Sequence, residues 1–134
     1  MAQDDLVIDP WGSAQSTDYD RIIEQFGLTS MTGVSLSNPS KLHRRGIVFA
    51  HRDIDQVVEA QRTGSPFGVL TGLMPSGQMH LGHSMVVEQA RWFQENGGDV
   101  TIAVADLESQ ATRGVSLSKG REVALREYLS LIHI

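Results

Sequence analysis

Phe67-Gly68-Val69-Leu70-Thr71-Gly72-Leu73-Met74-Pro75-Ser76-Gly77-Gln78-Met79-His80-Leu81-Gly82-His83 holds the change of period that decides the fold. Phe67 to Thr71 reads as a strand, Gly72 to Gln78 as a turn bearing glycine and proline, and His80 to Gln94 as a long helix stopped by Asn96-Gly97-Gly98. Beyond it, Val100 to Ala105 is a continuous apolar run of the kind found in parallel strands covered on both faces. Lys119 to Tyr128 reads as another helix. Strand, helix, strand, helix at these lengths predicts an α/β fold with a parallel sheet, a βαβ unit and a right-handed crossover.

Working back towards the amino terminus, Tyr19, Ile22, Ile23 and Phe26 recur at helical spacing, with Thr17 or Asp18 as N-cap and Gly27 as the stop. Met31 to Ser40 has the composition of a loop, and Gly46-Ile47-Val48-Phe49-Ala50 suits a strand. Asp53-Ile54-Asp55-Gln56 then offers a capping box for a helix with Ile54, Val57 and Val58 inward, and Pro66 marks the next boundary. Trp11 reads as an anchor for the amino-terminal arm, and Trp92 and Phe93 as core. The division expected is an α+β extension over 1–65 and the βαβ unit over 66–128.

With 134 residues, 40% hydrophobic and 20% charged, the chain has the make-up of one modest globular domain. No apolar run approaches the ~20 residues that span a bilayer, and Met1-Ala2-Gln3-Asp4-Asp5 lacks the basic and apolar regions of a signal peptide, so a cytoplasmic protein is expected. The absence of cysteine excludes disulfides, thiol nucleophiles and Cys-based zinc sites. A net charge of −5 gives no general attraction for nucleic acid; Lys41, Arg44, Arg45 and Arg52 come nearest to a basic cluster.

The chemistry concentrates where the strand gives way to the helix. A glycine-bearing turn at that point directs backbone N–H groups and the positive end of the helix dipole to one place, which is an anion site. Gly72 and Gly77 permit close approach, and neither a Walker loop nor the dinucleotide Gly-x-Gly-x-x-Gly spacing is present. His80 and His83 share a face in the first helical turn, where both imidazoles could donate to phosphate oxygens, and Gly82 between them leaves the surface bare for a flat base. Two histidines so spaced can equally be a solvated helix end; as metal ligands they lack an obvious third partner. Asp106 and Glu108 follow the second strand at its carboxyl end, where they could hold an ammonium group, or simply cap and be solvated.

Taken together, Thr71 to His83 resembles the first signature of the class I tyrosyl- and tryptophanyl-tRNA synthetases in their archaeal and eukaryotic form. Arg44-Arg45-Gly46-Ile47-Val48-Phe49-Ala50-His51-Arg52-Asp53 resembles a segment preceding the catalytic domain of the tryptophan enzymes, a hairpin over the ATP site in eukaryotic members, and Asp18 to Gly27 resembles the arm of archaeal ones. The resemblance implies the first half of a Rossmann-like nucleotide-binding fold and the activation of tryptophan by ATP with Mg2+, followed by transfer to tRNA(Trp), in a homodimer. On the matching positions it implies ATP contacts from Gly72, Pro75, Ser76, Gly77, His80, Gly82 and His83, with both histidines catalytic and no protein-held metal. It implies amino-acid contacts from Leu70, Gln89 and Glu108. Two positions depart from the pattern: many relatives carry tyrosine where Leu70 stands, and eukaryotic tryptophan enzymes carry glutamine where Ala103 stands. Leu70 argues against tyrosine as substrate, whose hydroxyl would lose a partner at a cost of about 1–3 kcal/mol, but it also leaves an indole N–H without its expected acceptor, so the expectation of tryptophan rests on the flanking segments and not on the pocket.

The second signature loop and the anticodon-binding domain of such enzymes do not occur in this sequence, so an incomplete amino-terminal part is expected. Leu129-Ser130-Leu131-Ile132-His133-Ile134 is the translation of a sequencing-library adaptor, and 129–134 is expected to be foreign, which removes His133 from functional consideration. The rival readings are a tyrosyl-tRNA synthetase, a nucleotidylyltransferase with the same His-x-Gly-His helix but no Arg44 to Asp53 segment, and a non-catalytic synthetase-like binding protein.

Overall fold

The computed structural model describes residues 19–129, which divide between Ile54 and Asp55 into two units. The expected N-cap at Thr17 or Asp18, the Trp11 anchor and residues 130–134, His133 included, lie outside the described residues.

In the first unit, helix α1 (Tyr19–Gln25) ends as anticipated: Gly27 takes φ 58 and its N–H bonds the Glu24 carbonyl at 3.2 Å. Strand β1 (Thr29–Ser30) follows, and then a four-residue helix, α2 (Lys41–Arg44), which no apolar periodicity announces. Ser40 starts it: its Oγ accepts from the N–H groups of Leu42 and His43, while His43 Nδ1 takes the Ser40 N–H at 3.2 Å.

The strand expected over Gly46 to Ala50 shrinks to β2 (Ala50–His51), paired antiparallel with β1. Gly46 sits at φ 67, and the Leu42 carbonyl accepts from both Ile47 and Val48, so the first half of that apolar run winds back onto α2. The capping box at Asp53 does not form either. Asp53 adopts φ 59, outside the extended conformation an N-cap requires, and His51 Nδ1 takes the Ile54 N–H at 3.3 Å as helix α3 (Ile54–Thr63) begins.

The second unit contains the βαβ element. Strand β3 (Phe67–Leu73), helix α4 (Leu81–Glu95) and strand β4 (Gly98–Val104) form a parallel pair in register from Phe67 opposite Gly98 to Leu73 opposite Val104. The Ala105 N–H to Leu73 carbonyl bond, 2.9 Å, carries the pairing one step past the strand. Helix α4 covers one sheet face, where Val87 and Ala90 line a small cavity with Val100 and Ile102.

Cover on both faces, expected from the apolar run, is present on one. Side chains alternate along a strand, so Leu70, Thr101 and Ala103 point away from α4, and among the described residues they stay exposed. Helix α5 (Asp106–Arg113) is too polar for periodicity to reveal; Gly114, left-handed at φ 65, closes it. The helix expected from Lys119 begins two residues earlier as α6 (Leu117–Val123) and passes into a π-helical segment, Ala124–Tyr128. Leu73, Ala90, Trp92, Ala124 and Tyr128 are buried, with Trp92 3% and Tyr128 0% exposed. Burying one such aromatic contributes about 1.5–3 kcal/mol. No helix among the described residues is long and apolar enough to cross a membrane.

Candidate active site

The turn between β3 and α4 is pinned from beneath. Pro75 is fully buried, and its carbonyl accepts from the Oγ of Ser109, which is 0% exposed, at 3.3 Å. The Met74 carbonyl accepts from Tyr128 Oη at 3.0 Å and from the Ser76 N–H at 2.8 Å. Thr112 Oγ1 donates to the Glu108 carbonyl at 2.8 Å and stands 3.4 Å from Met74 Sδ. Gly120 of α6 is buried beneath the turn, where a Cβ would make ordinary contacts with Asp106 Cβ at 3.7 Å and Pro75 Cγ at 3.8 Å. Ser76 and Gly77 are thereby held at the surface, whereas Pro75 sets the shape of the turn from inside.

At the start of α4 the two histidines cap one another's backbone. His80 is the N-cap, extended at φ −135, and its Nδ1 accepts the Gly82 N–H at 3.2 Å; His83 Nδ1 accepts the His80 N–H at 3.3 Å. Their rings lie 4.0 Å apart, centre to centre. Amides that the sequence suggests would face a ligand are therefore already taken by imidazole. Gly82 has a second reason to be glycine: a Cβ would stand 3.1 Å from both Cε1 and Nδ1 of the His80 ring.

These bonds assign the protons. An imidazole nitrogen that accepts carries no hydrogen, so neutral His80 and neutral His83 both hold theirs on Nε2. His83 Nε2–H reaches Tyr128 Oη at 3.3 Å, and the Tyr128 hydroxyl donates onward to Met74. Burial, and then the neighbouring His80, push the His83 pKa below its ordinary value, which favours that neutral form. His80 is exposed, and no described residue bonds its Nε2–H. The two imidazoles, read alike from their spacing, thus differ: His80 presents a donor and His83 spends its own inside the fold.

The remaining expected residues divide by face. Gly72 and Leu70, the latter 75% exposed, lie on the sheet face away from α4; a Cβ on Gly72 would touch the Ala103 carbonyl at 3.7 Å. Gln89 rides half-buried on α4, so the alternation of β3 separates it from Leu70 and the two are not brought together. Glu108 occupies the first turn of α5 directly after β4, beside Asp106, whose Oδ1 accepts the Leu107 N–H at 2.8 Å. Both carboxylates sit at the carboxyl ends of the strands, where open α/β sheets gather ligand groups. Sequence reasoning missed Ser109 and Tyr128, one inside an unannounced helix and the other read only as a helix end. Nothing local distinguishes either.

Comparison with known proteins supplies further findings. Residues 62–132 match the family model described as tRNA synthetases class I (W and Y). A tryptophan–tRNA ligase from Methanosarcina acetivorans is 45% identical over 131 residues, which cover 96% of this chain and 30% of that protein. Among solved structures, the tryptophanyl-tRNA synthetase of Aeropyrum pernix superimposes with TM-score 0.76 at 40% identity, covering 94% of this chain and 36% of that one. The tryptophan-bound tryptophanyl-tRNA synthetase of Encephalitozoon cuniculi gives TM-score 0.69 at 28% identity, over 82% and 33%. The chain spans about a third of the length of the relatives it matches.

Proposed function

The chain belongs to the class I tRNA synthetases of the W and Y type, and on that premise we propose that it is the amino-terminal part of a tryptophan–tRNA ligase. The whole protein activates tryptophan with ATP and Mg2+ and transfers it to tRNA(Trp), as a cytoplasmic homodimer. The observation that carries the reading is the exposed His80 Nε2–H at the amino terminus of a 15-residue helix, behind a turn clamped from below.

That donor set fits a triphosphate. As the tryptophan carboxylate attacks the α-phosphorus and pyrophosphate departs, negative charge grows on phosphate oxygens, a charge that Mg2+ bound to the nucleotide would share. His80 donates Nε2–H to those oxygens, and the helix dipole acts in the same direction. Ser76 and Gly77 offer the rim of the turn, Gly72 lets the nucleotide approach the sheet, and Gly82 with the His80 ring over it forms the floor. Pro75 and His83 serve by shaping that site. Glu108 binds the substrate ammonium, and Leu70 lines the apolar pocket on the open sheet face. Leu70 offers no hydrogen-bond partner to a phenol or to an indole N–H, so tryptophan rather than tyrosine is supported by the Arg44 to Asp53 and Asp18 to Gly27 segments and by the tryptophan–tRNA ligases among the relatives. We keep 1–65 as the extension, 66–128 as the start of the catalytic domain and 129–134 as foreign sequence.

Amino-acid-dependent ATP–pyrophosphate exchange by the full-length protein, run with tryptophan and tyrosine in parallel, tests this. Exchange with tryptophan is expected, and exchange with tyrosine alone overturns it.

A further inference from the structure

Tyr128 is the most deeply buried aromatic of the second unit and has no part in the reaction derived above. It nevertheless joins the two halves of the site: its hydroxyl accepts from His83 on α4 at 3.3 Å and donates to the Met74 carbonyl of the turn at 3.0 Å. Its ring meets the His83 imidazole edge-on, with centroids 5.5 Å apart and planes at 77°. The relay continues to His80, whose backbone N–H bonds His83 Nδ1.

We propose that Tyr128 is a positioning residue of the ATP site, which locks His83 in its Nε2–H tautomer and through it fixes the backbone of His80. The direction of each bond forces this. Met74 offers only a carbonyl, so the Tyr128 proton must point to it, and the oxygen is left to accept. His83 must then donate from Nε2 and keep Nδ1 bare for the His80 N–H. In the other tautomer the His80 N–H would lose its acceptor, and Tyr128 could keep its bond to the ring only by turning its proton away from Met74. Burial and the nearby His80 lower the basicity of His83, which weighs against a second proton on the ring.

The catalytic consequence rests on the proposed adenylation; the tautomer does not. Full-length protein with 15N-labelled histidine, the His83 signals being assigned by their loss in His83→Gln, reads the tautomer by NMR. Wild type is expected to show one form, protonated on Nε2, and a mixture of forms in wild type would overturn the inference whatever any variant does. Tyr128→Phe keeps the ring and removes the relay. It is expected to admit the second tautomer and to lower kcat for tryptophan-dependent exchange about ten- to a hundredfold, with KM for ATP and tryptophan within about twofold. An unchanged tautomer in Tyr128→Phe refutes the positioning role even where exchange falls. A changed tautomer in a protein that exchanges neither amino acid upholds it and refutes the adenylation reading instead.

Discussion

Adding one methyl group at Gly82 sets two effects of similar size against each other. Gly82 is the second residue of α4, where alanine restricts the unfolded chain and favours helix by about 0.5–1 kcal/mol. The new Cβ would stand 3.1 Å from Cε1 and Nδ1 of His80, closer than comfortable contact. Because that ring is exposed, it yields by swinging outward, and its bond to the residue-82 N–H breaks. Losing such a cap costs about 0.5–2 kcal/mol. The sum runs from about 0.5 kcal/mol of stabilisation to about 1.5 kcal/mol of destabilisation, so full-length Gly82→Ala should melt within roughly 6 °C of wild type. Its effect on activity should be far larger: the His80 donor moves by a few tenths of an ångström or more, and a misplacement approaching 1 Å costs about a hundredfold in rate. Thermal melting and ATP–pyrophosphate exchange, measured on the same preparation of full-length protein, read the two effects apart. Normal stability with undiminished exchange would refute the claim that the ring's seat on Gly82 matters, and destabilisation beyond about 3 kcal/mol would refute the claim that the ring can yield.

His80→Ala should lower the exchange rate with little change in tryptophan affinity, by equilibrium binding; a large loss of affinity at unchanged rate would contradict its assignment as a donor to the transition state. Gly98→Ala should destabilise by about 1–3 kcal/mol in denaturant unfolding, because its Cβ would meet Phe67 Cε2 at 2.8 Å and the Phe93 carbonyl at 3.0 Å, and a backbone oxygen cannot step aside. His43 and His83 both have folded pKa values below the ordinary 6.5, through burial in each case and His80 beside the second. The unfolded chain therefore binds protons first, so their contribution is complete above pH 6.5 and is lost as pH falls from there through the folded values. Unfolding midpoints followed from about pH 8 to pH 5 should decline, and less steeply in His83→Gln; a flat profile would count against the half-buried imidazoles being held neutral.

How much was legible in the sequence depended on the range of the interactions involved. Periodicity and the glycine stops located β3, α4 and β4 to within two or three residues, since hydrophobic alternation, helical spacing and chain reversal are properties of short segments. The Thr71 to His83 run identified the family for the same reason, its function being packed into one strand, turn and helix start. Local reasoning failed where a residue from elsewhere in the chain, or a competing local bond, took the decisive hydrogen bond. His51 rather than Asp53 caps α3, and the Leu42 carbonyl draws Ile47 and Val48 out of the expected strand. Leu70 and Gln89 were assigned to one pocket, but strand alternation and the placement of α4 put them on different sides.

The sequence alone determined that His80 and His83 stand together at a helix amino terminus, because three residues are nearly one helical turn. Only the tertiary structure distinguished them. Tyr128 lies 45 residues beyond His83 and 54 beyond Met74, and no spacing rule anticipates a hydroxyl from that distance. Packing brings it to the His83 ring nitrogen that the helix start leaves unused, and a single N–H can donate well in only one direction. That constraint commits His83 to the fold and leaves the His80 Nε2–H exposed at the surface.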